Sequence, residues 1–270
     1  MINNLIKEKF KYFVIIIFVF FSISSVIAEE IDWSENYFPF SAEILSSGNT
    51  FTEDLSANYI SPALNDSSTM YFSTSFLQSN TQVYYIVYKY SYLTFDLFYY
   101  DWNKIEYRDE TGNDLGYYYA SNYSSSISYT RSYKSFTGGL QVRYNLKEIG
   151  DLIKDNISFM PYISYRSDYF TVGGSIKNIK LDSYLLYGGF HYNFIKVKMR
   201  LDYFNNEYKL NYGFDFYLND NDNYVLFLGV ADNKYTAGFG IKSRNIKFNY
   251  GFMLENEQIF INNFSIKLKL

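Results

Sequence analysis

The chain has 270 residues, a formal net charge of −4, and no cysteine. The mild acidity argues against a nucleic-acid binder, and the missing thiols exclude disulfides, a lipoprotein anchor and cysteine-based metal or redox chemistry. Aromatic residues make up 22%, with 32 Tyr and 26 Phe, while charged residues are 19%, below the roughly 25% usual in soluble domains.

In chain order, the first segment is KEKFKYFVIIIFVFFSISSVIA. A basic start at Lys7, Lys9 and Lys11 leads into an apolar run and then small residues, the layout of an export signal with cleavage between Ala28 and Glu29. The apolar run is short for a spanning helix, which needs about 20 residues; an uncleaved anchor is the alternative. Either reading exports the chain.

Residues 29–67 show no sustained alternation. They contain Gly48, the acidic pair Glu53 and Asp54, and the sequence Ser61, Pro62, Ala63 and Leu64.

From residue 68 the chain breaks into short alternating runs divided by Asn, Asp, Gly, Ser and Lys. Fourteen are expected, at about 68–77, 81–90, 92–102, 120–132, 135–146, 156–166, 169–178, 182–193, 195–204, 207–218, 223–232, 234–242, 245–253 and 258–270. Their lengths suit tilted strands of about 9 to 11 residues joined by tight turns. The fold expected is all-β, a transmembrane antiparallel barrel over 68–270, with a soluble sandwich as the alternative. With both termini in the periplasm, the two longest connections, 103–119 and 147–155, fall on the extracellular side.

The run IKVKMRLDYF sets Ile195, Val197, Met199, Leu201 and Tyr203 against Lys196, Lys198, Arg200 and Asp202. In a barrel the first set meets lipid and the second the lumen. The last run places Phe260, Phe264, Ile266, Leu268 and Leu270 on one face, a terminal strand of the kind that barrel assembly machinery recognises.

The stretch before the first strand resembles the N-terminal hatch of the FadL-type long-chain fatty-acid channels and the related PorV/PorQ group. There a small-residue stretch, an acidic pair and an Asn-Pro-Ala motif precede the barrel. Pro62 and Ala63 match that motif and Ser61 stands in place of Asn. Residues 107–145, with an acidic turn, Gly116, Tyr129 and Arg131 on a small-residue strand, and Gly138-Gly139, are similar to a spirochaetal branch of that superfamily. The resemblance implies a fourteen-strand barrel, a hatch near the periplasmic side formed by residues about 40 to 66 and including Gly48, Glu53, Asp54, Pro62 and Ala63, and passage of hydrophobic or amphipathic molecules such as long-chain fatty acids. A PorV-like or structural surface barrel that binds another exported protein is the second expectation. The chain is much shorter than the channels, and their large outer loops have no counterpart here.

Basic residues on the expected lumen face, Arg143, Arg166, Lys196, Lys198, Arg200, Lys209 and Lys247 with Lys177, Lys242, Lys267 and Lys269, outnumber the acids Asp96, Asp202 and Asp215. A net-positive lumen would draw anionic or carboxylate-headed solutes; ordinary cross-barrel ion pairs are the other reading. Pro161 interrupts a ladder position and marks a bulge or a lateral opening. His191 is the single histidine, and no metal-ligand spacing or phosphate loop stands out. No enzyme activity and no cofactor are expected; the expected partners are outer-membrane lipid, a fatty acid or other amphipathic ligand, and the assembly machinery.

Overall fold

The computed structural model describes residues 42–47, 50, 58, 62, 69–77, 81–108, 112, 114–176, 183–204, 207–218, 223–231, 234–255 and 258–269. One short helix, α1 (Ala42–Ser46), precedes the strands β1 (Thr69–Leu77), β2 (Gln82–Tyr90), β3 (Leu93–Arg108), β4 (Asp114–Tyr133), β5 (Phe136–Ile149), β6 (Leu152–Arg166) and β7 (Phe170–Ile176). The sheet continues through β8 (Ser183–Tyr192), β9 (Ile195–Phe204), β10 (Glu207–Tyr217), β11 (Tyr224–Ala231), β12 (Lys234–Ser243), β13 (Ile246–Glu255) and β14 (Gln258–Lys269). Each strand pairs antiparallel with its sequence neighbours, and β14 returns to β1 to close a fourteen-strand barrel.

The strands form where the sequence alternates, because period-two patterning gives each residue one of two faces. On β9 the side chains of Lys196, Lys198, Arg200 and Asp202 are buried on the inside, while Ile195, Val197 and Met199 are partly exposed on the outside. The outer face carries exposed Met70, Phe72, Leu97, Ile127, Leu140, Leu226, Leu228, Phe264 and Ile266.

At the end where β1 begins and β14 finishes, the terminus end, four of the hairpins are tight. Ser91, Lys134, Asn193 and Arg244 each take positive φ, between 46° and 56°, at the first position of a two-residue connection. Positive φ at that position matches the right-handed twist of the flanking strands.

Two expectations fail at the opposite end. Residues 103–119 and 147–155 are mostly strand: β3 runs to Arg108, β4 starts at Asp114, β5 ends at Ile149 and β6 starts at Leu152. The β3/β4 ladder continues from Lys104↔Tyr119 to Arg108↔Asp114 after a register shift beyond Asp101. These extensions escape a search for alternation because both faces of the upper β5/β6 hairpin are largely exposed, so neither needs to be apolar.

Pro161 causes no bulge, since the β5/β6 register passes through Leu140↔Pro161 without a shift. It stands instead where pairing on the other edge stops. The β6/β7 ladder runs from Arg166↔Thr171 only to Tyr162↔Ser175, so among the described residues 152–161 have no strand partner on the side away from β5.

Candidate functional site: the interior of the barrel

Glycines on the inner wall make room for what occupies the bore. Gly213 on β10, Gly238 on β12 and Gly251 on β13 are in contact with α1 and its C-terminal turn: a Cβ would collide with the Ser47 carbonyl oxygen, the Ser46 side chain and the Ala42 carbonyl oxygen respectively. Leu45 is fully buried against Ala231, Met253 and Ile261, with Leu77 beside it. Thr236 donates to the Ser46 carbonyl oxygen at 3.0 Å.

The following turn is tied to a buried ion pair. The Lys198 ammonium lies 2.6 Å from the Asp215 carboxylate. Ser47 donates to the other Asp215 oxygen at 2.7 Å and accepts from Lys198 at 3.1 Å. Lys198 stands opposite Gly213 in the β9/β10 register, so the bare glycine leaves space for both the lysine stem and the Ser47 backbone. Arg200 pairs with Asp202 at 2.8 Å one step along the same face.

A second network lies on β3–β5. Asp96 accepts from Arg143 at 2.9 Å and also from Ser126 and Asn58. Gln141 donates to Ser126 at 2.9 Å and Ser128 at 3.0 Å. Asn58 precedes the first strand, as Ser47 does. Ser47 is thus bonded to the β9–β10 wall and Asn58 to the β3–β5 wall.

The third wall is aromatic. Tyr71, Val83, Tyr85, Val87, Phe98 and Tyr100 of β1–β3 form one buried cluster, with Leu77 and Trp102 packed against it. The Tyr100 and Trp102 rings are 4.5 Å apart, edge to face. Two more inward tyrosines cover glycines: a Cβ at Gly139 or Gly173 would strike the hydroxyl of Tyr162 or Tyr187. Tyr162 also donates to the Tyr129 carbonyl oxygen at 2.9 Å.

The basic residues named from sequence are placed unevenly. Arg143, Lys196, Lys198 and Arg200 are buried on the inner face, and Lys209 and Lys247 are half-buried there. Arg166 shares the inner face of β6 at the terminus end but is exposed at the rim. The three acids expected in the lumen each hold a cation, Asp96 with Arg143, Asp202 with Arg200 and Asp215 with Lys198, so these contacts follow the ion-pair reading. Pro62 is buried; Gly48, Glu53, Asp54, Ala63, Ala28, Glu29 and Lys177 lie outside the described residues.

Of the expected hatch, residues 42–47, 50, 58 and 62 are described. Leu45 packs among Leu77, Ala231, Met253 and Ile261, near the strand ends farthest from the termini, while Ser47 and Asn58 bond Asp215 and Asp96, which lie nearer the terminus ends of β10 and β3. The sequence reading missed Ser47, Asn58 and the aromatic wall. Inward Tyr85, Phe98 and Tyr100 share strands with equally aromatic outward positions, and only the parity of Asp96 and Thr94 could have separated them.

His191 sits at the terminus end with its ring Nε2 3.0 Å from the Asn193 carbonyl oxygen. Among the described residues no cluster of three or more His, Asp or Glu could hold a metal ion.

No protein-family model matches the chain, and no curated protein sequence matches it. Solved structures do. The Acinetobacter baumannii outer membrane protein Omp33 is similar with a TM-score of 0.51 at 8% identity, covering 75% of this chain and 98% of that one. The P. putida toluene transporter TodX is similar with a TM-score of 0.53 at 9% identity, covering 86% of this chain and 97% of that one. At such identities the likeness concerns the fold: the chain is an antiparallel barrel of the same broad architecture as these outer-membrane proteins.

Proposed function

We propose that the chain is an outer-membrane barrel that passes hydrophobic or amphipathic small molecules, long-chain fatty acids among them. The membrane part of the reading rests on the outer face, where exposed large apolar residues recur from β1 to β14. A continuous apolar girdle of that extent is incompatible with water. Export through residues 1–28, with cleavage between Ala28 and Glu29, and recognition of β14 by the assembly machinery belong to the same reading.

The observation that carries the substrate class is the aromatic inner wall on β1–β3. An aqueous pore has a polar lining, whereas Tyr71, Tyr85, Phe98, Tyr100 and Trp102 make an apolar inner wall, packed over in this structure, beside a polar network at Asp96 and Arg143. A molecule with a tail and a polar head matches that pairing of surfaces. TodX, named as a toluene transporter, lends this reading the precedent of a hydrophobic cargo in a similar barrel. Residues about 40 to 66 act in it as the hatch, and the end of the described β6/β7 pairing beside Pro161 is the place for sideways exit. Lys196, Arg200, Lys209 and Lys247 are candidates for meeting an anionic head.

Trp102 supplies the test. In a Trp33→Phe background, reconstituted in liposomes, 9,10-dibromostearate should quench Trp102 saturably, and unbrominated stearate should relieve the quenching. Quenching that rises linearly and resists competition would reject the fatty-acid track.

A second reading, a surface barrel that binds another exported protein, is favoured by the β5/β6 extension, where Leu152, Ile153 and Ile157 are exposed beyond the closed wall.

A further inference from the structure

We infer that the outer face carries a built phospholipid-headgroup site centred on Arg131. The inference rests on the reading of the barrel as membrane-embedded. Arg131 lies near the terminus end of β4, on the outward face that Tyr129 and Tyr133 share, and its guanidinium is held from two sides. Its central carbon is 4.1 Å from the Tyr92 ring centroid and 5.9 Å from that of Tyr129. Its Nε donates to the Tyr129 hydroxyl at 2.7 Å. The stack and the hydrogen bond together fix the plane of the fork. The two Nη groups meet no acceptor and no acid among the described residues.

A guanidinium so fixed lacks only an anion. Arg presents paired N–H donors that match two oxygens of a phosphate, and aromatic stacking orders it in advance, so less entropy is lost on binding. The interface is also where such a group is tolerated: deeper in the bilayer an unpaired charge is costly, while tyrosines gather at headgroup depth.

The wall beside it suits the remainder of a lipid. The cross-strand neighbour of Arg131 on β5 is Gly138, which has no side chain, and the next residue across on β6 is Ile163. Exposed Phe136 and Leu140 stand two positions either side of Gly138 along the same face. The result is an apolar strip beside the guanidinium, with Phe136 toward the rim and Leu140 and Ile163 toward the barrel's wall, against which an acyl chain can lie. Lys134, in the turn below, adds a second cation near the Tyr133 ring, at 5.4 Å. The ligand assigned is therefore a glycerophospholipid of the leaflet at the terminus end, its phosphodiester on Arg131 and a chain over Gly138.

Native mass spectrometry of the full chain in mild detergent, with dioleoyl phosphatidylglycerol added, tests the assignment. The native protein should retain the lipid, and Arg131→Gln should lower its retention about tenfold, the effect of losing one charge-assisted pair of hydrogen bonds. Tyr92→Leu, which keeps the charge but removes the stack, should lower it several-fold. Arg244→Gln, at another hairpin of the same end, should leave it at the native level. Equal retention by native protein and Arg131→Gln, or an equal loss in Arg244→Gln, would overturn the site. Gel migration before and after boiling, run on every variant, separates this from failure of the membrane-barrel reading, in which the native chain itself would show no shift.

Discussion

The ammonium of Lys198 and the carboxylate of Asp215 meet at 2.6 Å with side chains 1% and 2% exposed, and Ser47, just after α1, bridges them. Of the two sequence readings for Lys198, a solute-facing cation or a cross-barrel ion pair, the contact follows the second. Lys198→Ala would strand a carboxylate out of water, which costs about 3 to 5 kcal/mol. The variant should unfold at clearly lower urea, and Lys198→Met combined with Asp215→Leu should recover most of the loss. Urea titration followed by the folded band on unboiled gels checks both.

Gly213→Ala attacks the seat of residues 42–47 without touching charge. The added methyl would meet the Ser47 carbonyl oxygen, a backbone atom that cannot swing aside. The barrel should still form, because the β10 ladder is unaltered, but residues 42–47 should leave their seat. Ser46→Cys, buried in the native setting, should then react with a water-soluble maleimide many times faster in the Gly213→Ala background. An unchanged rate would show that the wall tolerates the methyl.

Face assignment on β9 can be tested directly because the native chain has no cysteine. Met199→Arg puts a charge on the outer face and should cost about 2 to 4 kcal/mol if that face lies at the bilayer midplane. In lipid vesicles a fluorophore at Met199→Cys should be quenched by a lipid-soluble quencher, and one at Lys209→Cys, on the inner face of the neighbouring β10, should not. The reverse pattern would invert the inner and outer faces of the whole barrel.

Tyr162→Phe removes one hydroxyl from the glycine-covering contact. The hydroxyl donates to the Tyr129 carbonyl oxygen and lies 2.8 Å from the Thr130 hydroxyl. Losing it should cost about 1 kcal/mol, seen as a small drop in urea midpoint, while Gly139→Val should be far more harmful because its Cβ would run into the Tyr129 backbone.

The strand count was legible because each wall-forming strand must offer one apolar face, and β9 shows this in its plainest form, lysine and arginine alternating with isoleucine, valine and methionine. Where that demand lapses, legibility lapses too. The end of β5 reads as a loop because both faces of the upper β5/β6 hairpin are largely exposed and need no apolar side. The lumen basics were legible as a face but not as pairs, since the Lys198–Asp215 contact depends on the β9/β10 register, and nothing in either strand alone states which residues stand opposite. Ser47 and Asn58 were opaque for a different reason: a segment without periodicity carries no sign of which wall it touches.

Closure of the barrel has a consequence for the order of events during folding. Thirteen of the fourteen pairings join strands adjacent in sequence, and only β1 with β14 brings together residues as distant as Thr69 and Lys269. Hairpins can therefore form early at small entropic cost, while the seam waits for the whole chain. Ser73 and Ser75 of β1 both hydrogen-bond Asn263 of β14 across that seam on the inner side, and Phe76 meets Phe264 on the outer side. Asn263→Ala removes both of those bonds, so it should slow the final folding phase and leave the early ones unchanged.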